Sequence, residues 1–203
     1  MPQENKMKFL YTSLIAIFFS ACSLINPSQT LPANKYFSIN LEKLEQSQNK
    51  MKNSTIIVSL PKGLAYTNEI FYKKNHVINA YAYHFWKQNP ALMIKDFLEF
   101  HLQDLNAFKA VLNQDSLASA DYVLESKVDI LEQDFSDEVH SKIKLGINLN
   151  WVHINTKKLL ASEYFYYEKK LTDNAPEVLI QNYNELFMLF AKDFRLWISQ
   201  NLE

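Results

Sequence analysis

The sequence predicts an α+β fold: a single domain with a mostly antiparallel sheet and two long amphipathic helices packed on one face. Three observations predict it. Several short segments alternate apolar and polar residues with a period of two, and two long segments repeat apolar residues every three or four positions. The order is strand, strand, hairpin, helix, three-strand meander, helix, so strands and helices come in groups rather than alternating one by one.

Residues 36–40 (YFSIN) form a short strand candidate, and the polar stretch 41–53 reads as a loop or a poor helix. Residues 54–60 (STIIVSL) are β-branched and apolar and are closed by Pro61, which predicts a strand buried on both faces. Residues 70–73 and 77–85 flank Lys74, Asn75 and His76 and predict a hairpin around an Asn-containing turn. In its second arm Val77, Asn79, Tyr81, Tyr83 and Phe85 would share one face.

Asn89 and Pro90 open the first helix, with Asn as the cap and Pro in the first turn. Ile94, Phe97, Leu98, His101, Leu105, Phe108, Val111 and Leu112 then recur at three and four, which predicts a helix from about residue 90 to 113. The meander follows. Tyr122, Leu124, Ser126, Val128 and Ile130 alternate, as do Ile143, Leu145, Ile147, Leu149 and Trp151. Opposite the second set stand Lys142, Lys144, Gly146, Asn148 and Asn150, the pattern of a strand with one wet face. A turn at 155–158 leads into the Tyr- and Phe-rich strand 159–171. From about residue 174, Leu179, Tyr183, Leu186, Phe187, Phe190, Phe194, Trp197 and Ile198 mark a long C-terminal helix.

Composition narrows the function. The chain has 203 residues, of which 48% are hydrophobic, enough to bury a substantial core. Its formal charge of −1 lacks the basic excess of a general nucleic-acid binder, so no nucleic acid is expected as a partner. The two glycines, Gly63 and Gly146, are too few and too far apart for a P-loop or a dinucleotide fingerprint. With Cys22 as the one cysteine, an intrachain disulfide and a multi-cysteine metal site are both excluded.

The N-terminus is the most informative segment. Residues 1–8 are polar and carry Lys6 and Lys8; residues 9–19 (FLYTSLIAIFF) are uncharged and mostly apolar; Ser20 and Ala21 precede Cys22. This is the layout of a secretory signal peptide, and its apolar run is shorter than the ~20 residues of a membrane span. Phe19-Ser20-Ala21-Cys22 resembles a bacterial lipobox, departing from it at Phe19. The expectation is a lipoprotein signal peptide over 1–21 and a lipidated Cys22. Residues 22–35 would be the acylated N-terminus and tether, and 36–203 the folded domain. A dozen extended tether residues reach about 40 Å at ~3.3 Å each. The alternative is an incidental cysteine near an ordinary signal or anchor. Ser23, rather than Asp, follows the cysteine and tips the expected location slightly toward the outer membrane over the inner.

Catalytic patterns are sparse. His76, His84, His101, His140 and His153 form no metal-spaced pair, and His84 and His101 read as satisfied fold histidines. No serine is flanked by glycines as a nucleophile elbow requires. Asp134, Asp137 and Glu138 fall in an apparent solvated turn. The sequence gives no reason to expect an enzyme, and no cofactor or metal is expected. Tyr164 to Tyr167 and the Phe187–Trp197 stripe could line a lipid groove, but at helical spacing such aromatics belong to a core.

The order of these pieces resembles the auxiliary lipoproteins of ABC-type transport systems, the group that includes the PqiC-like lipoproteins. The resemblance runs over nearly the whole of residues 22–203. It rests on Cys22, the strand 36–39 (YFSI), the segment 56–61 (IIVSLP), and 70–72 (IFY) leading to 80–83 (AYAY), Trp86 and Pro90. Phe108 and Val111, the segment 120–124 (ADYVL) and the ending Trp197-Ile198 complete it. The resemblance implies a periplasm-facing, non-enzymatic accessory subunit, lipid-anchored in the cell envelope. Its partners would be the membrane, an MCE-type substrate-binding protein and an ABC permease, with phospholipid as a further possibility. Tyr81, Tyr83 and Trp86 carry the resemblance and are the candidate partner or lipid contacts. Two alternatives stand beside it: an envelope-assembly scaffold lipoprotein of an outer-membrane complex, and an exported hydrolase.

Overall fold

The computed structural model describes residues 31–45, 52–135 and 141–202. The expected signal peptide, Cys22 and most of the tether lie outside the described residues, as do Asp137, Glu138 and His140. The chain divides into two units, Met1–Ala33 and Asn34–Glu203, and every described strand and helix belongs to the second.

Eight strands form one mixed sheet: β1 (Lys35–Phe37), β2 (Lys52–Val58), β3 (Glu69–Lys74), β4 (Val77–Trp86), β5 (Phe108–Leu112), β6 (Tyr122–Asp134), β7 (Lys142–His153) and β8 (Lys158–Lys170). Two helices, α1 (Pro90–Leu105) and α2 (Pro176–Gln200), accompany it among the described residues. The long ladders β6–β7 and β7–β8 are antiparallel, as is the hairpin β3–β4. Four shorter pairings, β1–β4, β2–β5, β2–β6 and β3–β6, are parallel.

Local chemistry explains the elements. Between β3 and β4, Asn75 and His76 both take positive φ, 50° and 65°, the handedness that a two-residue turn needs to match strand twist. Asn89 caps α1 by accepting from the Ala91 N–H at 2.8 Å, and Pro90 fills the first turn. Pro176 and Glu177 open α2, where a carboxylate complements the helix dipole.

The core lies between one sheet face and the helices. α1 packs on β2 and β5, α2 on β7 and β8, and the helices touch each other. Ile143, Leu145, Ile147, Leu149 and Trp151 of β7 are all fully buried. They meet an aromatic cluster in which Phe97 lies 5.2 Å from Phe187, Phe165 lies 5.3 Å from Phe190, and Trp151 lies 5.6 Å from Phe108. All eight residues of the expected α2 stripe are buried.

Four expectations change. The first helix ends at Leu105 rather than near 113, because Asn106 adopts the left-handed conformation and its N–H closes on the Gln103 carbonyl. Phe108, Val111 and Leu112 belong instead to β5, which satisfies the edge of β2. Strand β2 is not buried on both faces. The helices cover only one side of the sheet, so Ile56 and Val58 are buried while Thr55 and Ile57 remain partly open. The outer face of β7 is only half wet, since neighbouring strands lean over it; the Tyr164 side chain lies across Gly146. Finally, the alternation of β4 breaks. Ala80 pairs with Phe71 and Phe85 with Glu69, so residues 81–84 bulge opposite the single residue Ile70.

Candidate functional site

The bulged strand β4 carries Tyr81, Tyr83 and Trp86, which meet different surroundings. Trp86 is buried, its ring edge-on to Tyr183 of α2 at 5.7 Å, and its backbone N–H donates to the Asn68 carbonyl at 2.7 Å. It forms part of the wall of a cavity of about 250 Å³ beside β6. Tyr81 lines a second cavity of about 420 Å³ with Tyr72, Lys74, Phe135 and Asn174, and the two cavities share no described lining residue. Tyr83 is half-buried and makes neither a hydrogen bond nor a ring contact among the described residues.

Tyr81 begins a polar relay into the core. Its hydroxyl donates to Gln133 Oε1 at 2.6 Å, Gln133 Nε2 donates to Ser141 Oγ at 2.7 Å, and Ser141 Oγ donates to Asn174 Oδ1 at 2.5 Å. Gln133 and Ser141 are fully buried, so each needs these partners. Burial, with a smaller effect from neighbouring Tyr72, pushes the Tyr81 phenol up to about 12. It therefore stays a hydrogen-bond donor at all ordinary pH. Its ring lies 5.0 Å from that of Tyr72, which in turn meets Phe135 edge-on at 5.6 Å. The result is an aromatic-walled recess with Asn174 and Lys74 at its polar side.

A second buried polar group joins the helices. Arg195 of α2 pairs with Asp104 of α1, both almost fully buried. Two backbone groups join the pair: Leu44 N–H donates to Asp104 Oδ2, and Arg195 Nη2 donates to the Glu45 carbonyl, each at 3.3 Å. The pair thus fastens the segment after β1 to both helices. His101 sits beside it, fully buried between the rings of Phe97 and Phe100. The expectation of a satisfied histidine fails here, because neither ring nitrogen has a hydrogen-bond partner. Burial first, then the Arg195 guanidinium, lower its pKa to about 4 against the opposing pull of Asp104. His84 lies elsewhere, stacked on Phe37 at 5.9 Å.

Among the described residues no group of three or more His, Cys, Asp or Glu side chains is placed to hold a metal. No described helix is long and apolar enough to cross a membrane. Asp134, expected in a solvated turn, ends β6 and is paired with Lys144.

Sequence reasoning missed the relay, because its members at 81, 133, 141 and 174 belong to four separate segments. Arg195 did leave a signal: it sits on the buried α2 stripe between Ala191 and Ile198, where a charge calls for a buried partner.

No protein-family model matches the chain, and no curated protein does. Solved structures do share its fold. A Xanthomonas campestris protein of family DUF330 superposes with a TM-score of 0.74 at 14% identity, over 82% of this chain and 95% of the other. A second crystal structure, of an uncharacterized protein, gives 0.63 at 14% identity over 83% and 100%. A hypothetical protein from Chlamydia trachomatis is more distant, at 0.45 and 10% identity over 71% and 96%. The first two likenesses establish a common fold for the domain.

Proposed function

We propose that this chain is a lipid-anchored, non-enzymatic accessory subunit of an ABC/MCE-type lipid transport system, facing the periplasm. The observation that carries the reading is the position of the only cysteine, Cys22, at the end of a short apolar run and ahead of a proline-containing tether. An acyl anchor at that point holds a domain at a membrane without a spanning helix. The tether then confines the domain to a shell near the surface, which raises its effective concentration for a membrane-embedded partner. The order of strands, Trp86, Pro90 and helices supports the step from envelope lipoprotein to transport auxiliary. The recesses flanking β3 and β4, built of aromatic and polar side chains, are the surfaces such a subunit would offer.

The test is a cross-linked pull-down from membranes with a C-terminal tag, identifying partners by mass. Recovery of an MCE-type protein or an ABC permease, lost in Cys22→Ala, supports the proposal. Recovery of outer-membrane assembly factors with no transporter component refutes it and favours the scaffold alternative.

A further inference from the structure

Strand β6 is paired with β7 along one edge, but its other edge has a gap. At one end Ser59 N–H donates to the Leu124 carbonyl, Lys62 N–H to that of Ser126, and Val128 N–H to that of Lys62, at 2.8–3.0 Å. At the other end Tyr72 and Lys73 of β3 pair with Gln133 and Asp134. Between them, residues 129–132 have no described strand neighbour on that edge. The chain bows away at Gly63, whose φ of 93° and close approach to the Val128 carbonyl leave no room for a Cβ.

Behind the gap lies the cavity walled by Leu64, Phe71, Trp86, Pro90 and Leu131. At about 250 Å³ it falls below the ~300–1,000 Å³ of ordinary small-molecule clefts, so its size suits a single anchoring side chain. The charged side chains lining it are Glu69, Asp129 and Glu132, with no described cation among them. Asp129 is paired with Lys127, but Glu69 and Glu132 form no ion pair among the described residues. Lys144, across the ladder from Glu132, is taken by Asp134.

We propose that this gap receives a short extended segment of a partner protein by strand addition. A bulky apolar side chain would enter the cavity, the peptide backbone would pair with residues 129–132, and flanking Lys or Arg side chains would meet Glu69 and Glu132. Four β6 residues span about 13 Å at ~3.3 Å each, which accommodates three or four residues of the guest. The open backbone edge is what selects a peptide over an acyl chain, since hydrocarbon leaves those polar groups unpaired. The proposal rests on the domain being a partner-binding module but not on which system it serves.

The test titrates the acylated chain, residues 22–203, in detergent with dye-labelled synthetic peptides, read by fluorescence anisotropy at low salt. The basic peptide Thr-Lys-Leu-Lys-Val-Lys should bind at least about tenfold more tightly than its counterpart with Glu at every Lys position. N-methylation of alternate amides in the basic peptide should abolish that advantage. The double variant Glu69→Lys/Glu132→Lys should reverse the preference, a gain that misfolding cannot mimic. No binding, equal binding of both peptides, insensitivity to N-methylation, or an unreversed preference each overturns the proposal. A pull-down that still recovers a transporter component alongside such a result would remove this site and leave the functional reading intact.

Discussion

Replacing His101 with Phe should flatten the acid limb of the stability curve. In the folded domain this imidazole is enclosed by Phe97 and Phe100, with the Arg195 guanidinium nearby and Asp104 only partly offsetting it. Its pKa is lowered to about 4 from an ordinary 6.5. On unfolding the imidazole returns to water and takes up a proton near pH 6.5. Between the two values the unfolded chain binds more protons, so stability falls as pH falls from 6.5 and the loss saturates below about 4. At ~1.4 kcal/mol per unit, the full loss is about 3.5 kcal/mol from this one group, of which about 3 is reached by pH 4. The assay is urea unfolding of the original chain and of His101→Phe at half-unit steps from pH 7.5 to 4. Carboxylate titrations elsewhere act on both proteins and cancel in the difference. Any packing cost of the phenyl ring shifts that difference by a constant and leaves its pH dependence alone. The difference should move by about 3 kcal/mol in favour of the variant across this range. A difference that stays constant with pH would refute the assignment of the acid loss to His101.

Other expectations follow from the same geometry. Asp104→Ala leaves Arg195 buried without its carboxylate and should cost about 3–5 kcal/mol by denaturant midpoint; Asp104→Leu/Arg195→Met should recover most of it. Tyr81→Phe strands the fully buried Gln133 Oε1 and should cost about 1–3 kcal/mol, with thermal unfolding as the readout. The two glycines should behave differently. Gly63→Ala forces a Cβ to 2.2 Å from a backbone carbonyl at positive φ, and should cost at least ~2 kcal/mol. Gly146→Ala collides with the Tyr164 hydroxyl, the free end of a half-exposed side chain that can swing aside, and otherwise meets Ile130 at 3.4 Å, so it should stay within about 1 kcal/mol. Chemical denaturation of both variants side by side checks the ordering.

What was legible in the sequence was local. The α2 stripe, the alternation of β7 and the Asn75 turn each depend on neighbours within a few positions, and the structure has all three. The end of α1 was misread because Leu105, Phe108, Val111 and Leu112 continue the spacing of a helical stripe. The chain nevertheless breaks at Asn106, the residue type that tolerates a left-handed C-cap, and β5 forms because β2 offers it an open edge. The β4 bulge was hidden for a similar reason, since period two runs through it unbroken in the sequence. Of the three candidate contacts, Tyr81 and Trp86 line recesses, but separate ones, which their sharing of one strand does not reveal. The β6 gap depends on how two parallel neighbours terminate against a third strand, and no spacing rule reports that.

The parallel pairings also set a timetable for folding. Strand β2 finds its partners only in β5 and β6, and β3 needs β6 for its inner edge, so the first half of the domain cannot close its sheet until residue 134 is available. Only the β3–β4 hairpin can form early from contacts close in sequence. The meander β6–β7–β8 with α2 is contiguous and rich in local antiparallel contacts, the kind that form fastest. A chain delivered from its N-terminus therefore presents the β-branched segment 54–58 unpaired until β5 emerges, and with one edge open until β6 follows. That segment has the composition of an aggregation-prone strand. Its nascent chain should thus depend on a holding chaperone until β6 appears, and slowing delivery of residues 59–134 should lower the yield of folded protein more than slowing delivery of residues 135–203.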